Sequence, residues 1–246
     1  MAANPPAGQT RPLSFTHTSV DCVVFGFDGS RLNVLLIKRS HEGLDVPIHD
    51  MKLPGSIIYL DEDLDEAAAR VLRELTGIST IKLQQFKAFG SKDRTSDPAD
   101  LKWLEKEQNV QVSRIVTVAY FALVKIGRSI PEQENGQKAC WVPVEEVPAL
   151  AFDHNIIIEE GVKHLQMLTE LQPDLLFSLL PRKFTAAQLR KLMEVTTEKE
   201  MDVRNFSKKM DSMLYVVPTG EKESGVAHRA ARLYRFDKSV YAKTRK

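Results

Sequence analysis

Apolar and polar positions along the chain follow two periods in turn. Residues 19–27, SVDCVVFGF, and 32–40, LNVLLIKRS, are Val-, Leu- and Ile-rich runs separated by Asp28, Gly29, Ser30 and Arg31, which predicts a β-hairpin. Residues 81–90, IKLQQFKAFG, and 114–126, RIVTVAYFALVKI, are further strand candidates, as is the start of KACWVPVEEVPAL at 138–150. The polar insert DPADLKWLEKEQN at 97–109 reads as a surface excursion.

From residue 152 the period becomes helical. FDHNIIIEEGVKHLQMLTEL places Ile156, Ile157, Val162, Leu165, Leu168 and Leu171 on one side of a long helix, with Asp153 as its expected cap. PDLLFSLLP at 173–181 predicts a short apolar helix between prolines, too apolar for a loose linker, so the segments on either side should pack together. The expected organisation is a tail over 1–12, one domain over 13–165, and connecting helices with a second domain over 166–246.

Composition narrows the class. With 43% hydrophobic and 27% charged residues in 246, the chain reads as a soluble globular protein. No run approaches the roughly 20 apolar residues of a membrane helix, and the first residues lack the pattern of a signal peptide. A cytoplasmic protein without a membrane partner is expected. Cys22 and Cys140 are the only cysteines, each in an apolar run, which predicts buried reduced thiols. The six histidines show no HxH or HExxH spacing, and no CxxC or GxSxG occurs, so nothing supports zinc or serine-nucleophile chemistry.

The net charge of +1 conceals a division. From Arg182 onward 16 of the 34 Lys and Arg face 8 of the 33 Asp and Glu, net +8, which leaves the first 181 residues at −7. An acidic body with a basic, polyanion-binding end is implied. That end has an ordered pattern. Thr185 and Gln188 form a capping box before an apolar stripe of Leu189, Leu192 and Met193. After a turn, Asp202 can cap a second helix whose inner face is Val203, Phe206, Met210 and Met213, and whose outer face is Arg204, Asn205, Ser207, Lys208 and Lys209. LYVVP and ARLYRF then read as two strands around a Gly-rich, charged tip at 219–230.

Helix, turn, basic amphipathic helix and two-stranded wing resemble a winged helix-turn-helix. A helix fits the major groove of double-stranded DNA, where Arg and Asn side chains can read guanine and adenine edges. Lys208, Lys209, His228, Arg229 and Arg232 would add phosphate or minor-groove contacts whose strength falls with salt. Winged helices also dock proteins, and the basic face tips the reading toward DNA.

The remaining stretch, LPGSIIYLDEDLDEAAARVLRELTGI at 53–78, carries the candidate chemistry. Asp63 and Glu66 form a capping box and Gly77 a C-terminal cap, bounding a helix over 64–76. Leu64, Ala67, Ala68, Val71, Leu72 and Leu75 follow helical spacing, and Arg70 is set for i,i+4 ion pairs with Glu66 and Glu74. The stretch resembles the Nudix box: Gly, five residues, Glu, seven residues, Arg-Glu, an apolar residue, any residue, Glu-Glu, any residue, Gly and an apolar residue. Glu62, Arg70, Leu72, Glu74, Gly77 and Ile78 agree; Ser56, Val71 and Leu75 stand where the pattern has Gly, Glu and Glu.

In that family the helix carboxylates hold Mg²⁺ or Mn²⁺ against a diphosphate, and such hard cations need oxygen ligands. Val71 and Leu75 cannot supply them. No tightly held cofactor is therefore expected, at most weak Mg²⁺ binding and residual turnover. Together with LAFDH at 150–154, VTVAYFAL at 116–123 and ARLYRF, the arrangement is similar to the NrtR family, the Nudix-related transcriptional regulators of NAD metabolism. The resemblance implies an α+β Nudix-like sandwich followed by a small winged helix. It implies a dimeric repressor that binds ADP-ribose as effector without efficient hydrolysis and then releases operator DNA.

Arg39 and Arg70 are the expected diphosphate contacts, Gly55 and Ser56 the adjoining loop, Glu74 the remaining helix carboxylate, and Arg94 and Arg114 further candidates. Phe89 and Tyr120 can stack on adenine, with core packing as the competing role. Asp153 and His154 stand where ligand state could reach the long helix. Two alternatives stay open: an active hydrolase of ADP-ribose or a related nucleoside diphosphate, and a regulator of the same fold sensing a sugar.

Overall fold

The computed structural model describes residues 16–39, 51–79, 81–109, 111–126, 139–225 and 230–244. The expected tail over 1–12 lies outside them, as do His228 and Arg229.

Strands β1 (His17–Phe27) and β2 (Leu32–Lys38) form the predicted hairpin, with Phe27 opposite Leu32. In the turn, the Asp28 carboxylate accepts the backbone N–H groups of Ser30 and Arg31, the short-range bonding that makes Asp a turn residue. Two short strands follow, β3 (Met51–Lys52) and β4 (Gly55–Ile57). Next come β5 (Gln84–Phe89), β6 (Ile115–Lys125) and β7 (Ala139–Pro143). These seven form one mixed sheet of core order β3-β2-β1-β6-β5, with β4 on β1 and β7 on β2. The run VTVAYFAL lies at its centre, parallel to β1 along all eleven residues of that strand.

Because alternate strand residues face opposite ways, β1 feeds two cores. Val20, Cys22 and Val24 point to one face, where they meet Ala67, Ala68, Val71 and Leu72 of helix α1 (Leu64–Thr76). Val23 and Phe25 point to the other, under Ile157, Ile158 and Leu165 of a long helix. Each fully buried aliphatic side chain contributes about 1.5–3 kcal/mol. The predicted α+β sandwich is the observed architecture. Helix α1 has the predicted bounds and both predicted caps, and Gly77 takes φ 72°, the left-handed conformation glycine adopts at least cost.

Several expectations are corrected. The insert at 97–109 is helix α2 (Pro98–Gln108), capped by Asp97 with Pro98 in its first turn, and it buries Asp100, Trp103 and Leu104. The long helix α3 (His154–Leu171) turns His154, Ile157, Ile158, Gly161, Leu165 and Leu168 inward; Ile156 and Leu171 are 55% and 62% exposed. Asp153 precedes α3 but makes no side-chain cap bond, because its carboxylate is taken by Arg94. Cys140 is half-buried rather than buried.

A 3₁₀ helix, Pro173–Ser178, leads to β8 (Phe184–Thr185), α4 (Ala186–Thr197), α5 (Val203–Ser212), β9 (Val216–Lys222), β10 (Arg232–Phe236) and α6 (Lys238–Thr244). The strands pair in the order β8-β10-β9. Strand β9 runs through residues expected in the wing tip, and α6 was not expected at all. The core of this unit, with Leu180, Phe184, Leu192 and Phe206, also takes in Phe27 from β1, so the two parts pack together as the apolar connection implied.

Candidate functional site

Residues of β1, β3, β4, α1, α2 and the start of α3 enclose a cavity of about 340 Å³. Its floor is β4, whose Gly55 lies so close to β1 that an added Cβ would come within 2.0 Å of the Asp21 carboxylate. Its walls are α1, with Arg70, Val71, Glu74 and Leu75, and α2, with Trp103, Leu104 and Glu107. Arg94, Phe152 and His154 close the far side.

Of the sequence candidates, Gly55, Ser56, Arg70, Glu74 and Arg94 are brought together here. Arg39 and Arg114 are not. Arg39 is buried, ion-paired to Asp100 at 2.7 Å and lying over the Trp103 ring, so it fixes α2 rather than facing the cavity. Arg114 donates to the Gly90 carbonyl at 3.1 Å. Phe89 and Tyr120 are core residues, and the Tyr120 hydroxyl bonds the Asp65 carboxylate.

Arg70 is held from three sides. Its Nε and Nη2 donate to the two oxygens of Glu62 at 2.7 and 2.6 Å, and Nη1 reaches Glu74 at 3.3 Å, while the guanidinium stacks over Tyr59 at 4.1 Å. The expected Glu66–Arg70 pair is absent because Glu66 instead accepts the Asp63 N–H in the capping box. The Arg70 bonds hold the Glu62 carboxyl below the usual carboxylate range.

Two charged groups of the lining escaped the sequence reading, Asp21 and Lys52, and His154, expected there only as a relay to the long helix, lines the cavity with them. Burial pushes the Asp21 carboxyl up, but the His154 ring and the Arg94 guanidinium outweigh it and hold it well below its ordinary value. The Leu53 N–H donates to His154 Nδ1 at 3.0 Å, which turns Nε2 to Asp21 at 3.4 Å. Arg94 bridges Asp21 and Asp153 at 3.4 and 2.9 Å. Lys52 donates to the Gly55 carbonyl at 2.8 Å, and burial pulls its ammonium down from 10.5 to about 8. One clue was available: a carboxylate within SVDCVVFGF and a lysine beside LPG must be paired if those runs are buried.

Phe152 takes φ 56°, unusual for an aromatic residue, and its N–H donates to Asp100 at 2.7 Å. That bond and the Arg39 pair make Asp100 the link between α2 and the start of α3.

The second candidate surface is α5. Asp202 caps it through the N–H groups of Arg204 and Asn205, and Arg204, Asn205, Ser207, Lys208 and Lys209 are all exposed, as is Arg232 on β10. Phe206 and Met210 are buried as expected; Val203, expected beneath, is 65% exposed. The turn before α5 is tied by Arg190 and Glu194, which bond the Met201 carbonyl and N–H.

Residues 15–164 match the family model described as NUDIX domain. The chain belongs to the Nudix family. Residues 176–236 of this Nudix protein match a second model, the NrtR DNA-binding winged helix domain. A curated relative from Acinetobacter baylyi, the ADPR responsive transcriptional repressor NtrR, is 29% identical over 226 residues, 89% of this chain and 81% of the relative. The solved structure of Shewanella oneidensis NrtR complexed with a 27mer DNA is 26% identical, with a TM-score of 0.63 over 89% of this chain and 93% of that one. Another structure of Shewanella oneidensis NrtR is 25% identical, with a TM-score of 0.60, over 90% and 94%.

Proposed function

We propose that this chain is a DNA-binding transcriptional repressor that responds to ADP-ribose, with the Nudix cavity as sensor and α5 as the DNA-reading element. The relatives named above support the module order, and one observation carries the chemistry. On the α1 face of the cavity, Val71 and Leu75 flank a single carboxylate, Glu74, which is itself engaged by Arg70. Mg²⁺ requires an array of oxygens. The lining carries the carboxylates of Asp21, Glu74 and Glu107, but among the described residues no three acidic, His or Cys side chains are grouped to hold a metal. The cavity therefore fits a site that holds a nucleoside diphosphate sugar without cleaving it.

Lys52 and Arg94, with Arg70 at the rim, supply positive charge for the diphosphate, and Gly55 and Ser56 bring the β4 backbone beside it. On the DNA side, Arg204 and Asn205 read base edges while Lys208, Lys209 and Arg232 neutralise phosphates. A dimer matches a two-fold operator. No described helix is long and apolar enough to cross a membrane.

The test uses the full chain and a duplex selected from random sequence. ADP-ribose should weaken the complex at least tenfold, while Mg²⁺ and ADP-ribose together yield no AMP at enzymatic rates. Steady AMP release, or a complex indifferent to ADP-ribose, would sink the reading.

A further inference from the structure

We infer that Tyr59, at the mouth of the cavity, is a stacking platform for the flat ring of the ligand, so that the site selects a nucleoside diphosphate over a bare sugar phosphate. This rests on the ADP-ribose reading above and adds the side chain that takes the base. The lining changes character from its depth to its edge. Lys52 and Arg94 are buried, 5% and 6% exposed, whereas Tyr59 on the same cavity is 53% exposed. A ligand whose anionic half lies on the buried cations directs its other half to the mouth, where Tyr59 stands.

The other aromatic rings of the lining are already engaged. Trp103 is 5% exposed, with the Arg39 guanidinium and the Lys52 ammonium over its ring at 5.0 and 5.7 Å. Phe152 is half-buried and packs against the His154 ring at 5.4 Å. Tyr59 is open and, in addition, fixed. Its N–H donates to Glu62 at 2.8 Å, and the Arg70 guanidinium, forked onto that same Glu62, lies 4.1 Å from the ring centroid. A cation over one face of an aromatic ring is attracted by the ring's quadrupole. The ring is thereby held before any ligand arrives, and a base stacking on its open side immobilises little that is still free. Every base has a π-face, so such a platform recognises a flat ring rather than one pattern of hydrogen bonds.

Titration of the full chain with etheno-ADP-ribose, whose modified adenine fluoresces, tests this. Emission of the bound base should be quenched by the wild type and equally by Tyr59→Phe, which keeps the ring. Tyr59→Leu keeps an apolar side chain without a π-face. Its affinity should fall about tenfold, within the range that base–aromatic stacks lose when the ring is removed, and the bound base should regain its emission. Calorimetry with unmodified ADP-ribose should show the same loss, and each variant's thermal melt checks its fold. Wild-type binding without quenching, or a Tyr59→Leu variant that binds and quenches like the wild type, would overturn the platform. Weaker binding with the quench intact would overturn it too, because Tyr59 would then merely prop the loop. A wild type that binds neither ADP-ribose nor its etheno form overturns the ADP-ribose reading itself.

Discussion

Arg70 and Glu62 form a two-pronged ion pair, Nε to Oε2 at 2.7 Å and Nη2 to Oε1 at 2.6 Å, that ties the middle of α1 to the loop leading into it. Both side chains are nearly covered, 12% and 10% exposed. The same Glu62 accepts the Tyr59 N–H, so one carboxylate sets the loop along the cavity rim. Arg70→Lys keeps the charge but loses the fork. It should lower the melting temperature by roughly 5 °C, corresponding to about 2 kcal/mol of charge-assisted bonding. Unchanged melting would show that the pair does not hold the loop.

Lys52 gives a pH signature. Its ammonium titrates near 8 in the fold and at 10.5 when free in water, so between those values the unfolded state carries more protons and this group alone favours folding as pH rises. Ligand binding has the opposite sign. A diphosphate beside Lys52 prefers the ammonium, so ADP-ribose affinity should fall above about pH 8, approaching tenfold per unit while the bound state keeps its proton. Lys52→Met should bind more weakly and show a flatter profile. Calorimetric titration between pH 7 and 9.5 checks both, and parallel profiles for the two proteins would refute the assignment.

Val71 and Leu75 are not equivalent as places to restore a carboxylate. Val71 is 1% exposed and belongs to the core between α1 and the sheet, whereas Leu75 is only partly buried at the cavity wall. Val71→Glu should lose about 3–5 kcal/mol, the scale of an uncompensated buried charge. Leu75→Glu should fold and gain a second oxygen group beside Glu74. Adding 5 mM Mg²⁺ should then raise the melting temperature of Leu75→Glu but not of the wild type. Equal responses would show that the α1 face does not govern metal binding.

The DNA surface separates affinity from discrimination. Arg204→Ala should cost about 1–3 kcal/mol on the selected duplex and little on random DNA. Lys208→Ala should weaken both alike and reduce the slope of log affinity against log salt by about one contact. Fluorescence anisotropy at several salt concentrations distinguishes them. Identical losses on both duplexes for both variants would contradict the division of labour on α5.

What the sequence revealed depended on how local the signal was. Helix α1 was legible to its last residue because its stripe and both caps lie within the fifteen positions from Asp63 to Gly77. The three consecutive isoleucines at 156–158 left the phase of α3 ambiguous, and the chosen face was turned so that Ile156 and Leu171 looked buried. Helix α2 was missed because only Asp100, Trp103 and Leu104 turn inward, although Asp97 followed by Pro98 is a helix start. The cavity's charged set was the least legible. Asp21, Lys52, Arg94 and His154 come from β1, β3, the loop before α2, and α3, and only the sheet's crossing order brings them together.

That charged set also suggests how the sensor reaches the DNA-binding part. Arg94 holds Asp153, the residue that opens α3, with bonds of 2.9 and 3.1 Å from Nη2 and Nε to one carboxylate oxygen, and the same guanidinium lines the cavity. Helix α3 then runs to Leu171, from which the 3₁₀ helix leads into the winged-helix core. A diphosphate drawing on Arg94 competes with Asp153 for it, so ligand occupancy and the position of α3 are tied to one side chain. Coupling between two sites is reciprocal: whatever factor ADP-ribose imposes on DNA affinity, DNA imposes on ADP-ribose affinity. Asp153→Asn removes the charge that Arg94 must leave, so the factor should shrink toward one from both directions while free protein still binds each ligand. Measuring ADP-ribose affinity with and without saturating duplex, for wild type and Asp153→Asn, tests this, and a variant that keeps the wild-type factor would place the coupling outside the Arg94–Asp153 pair.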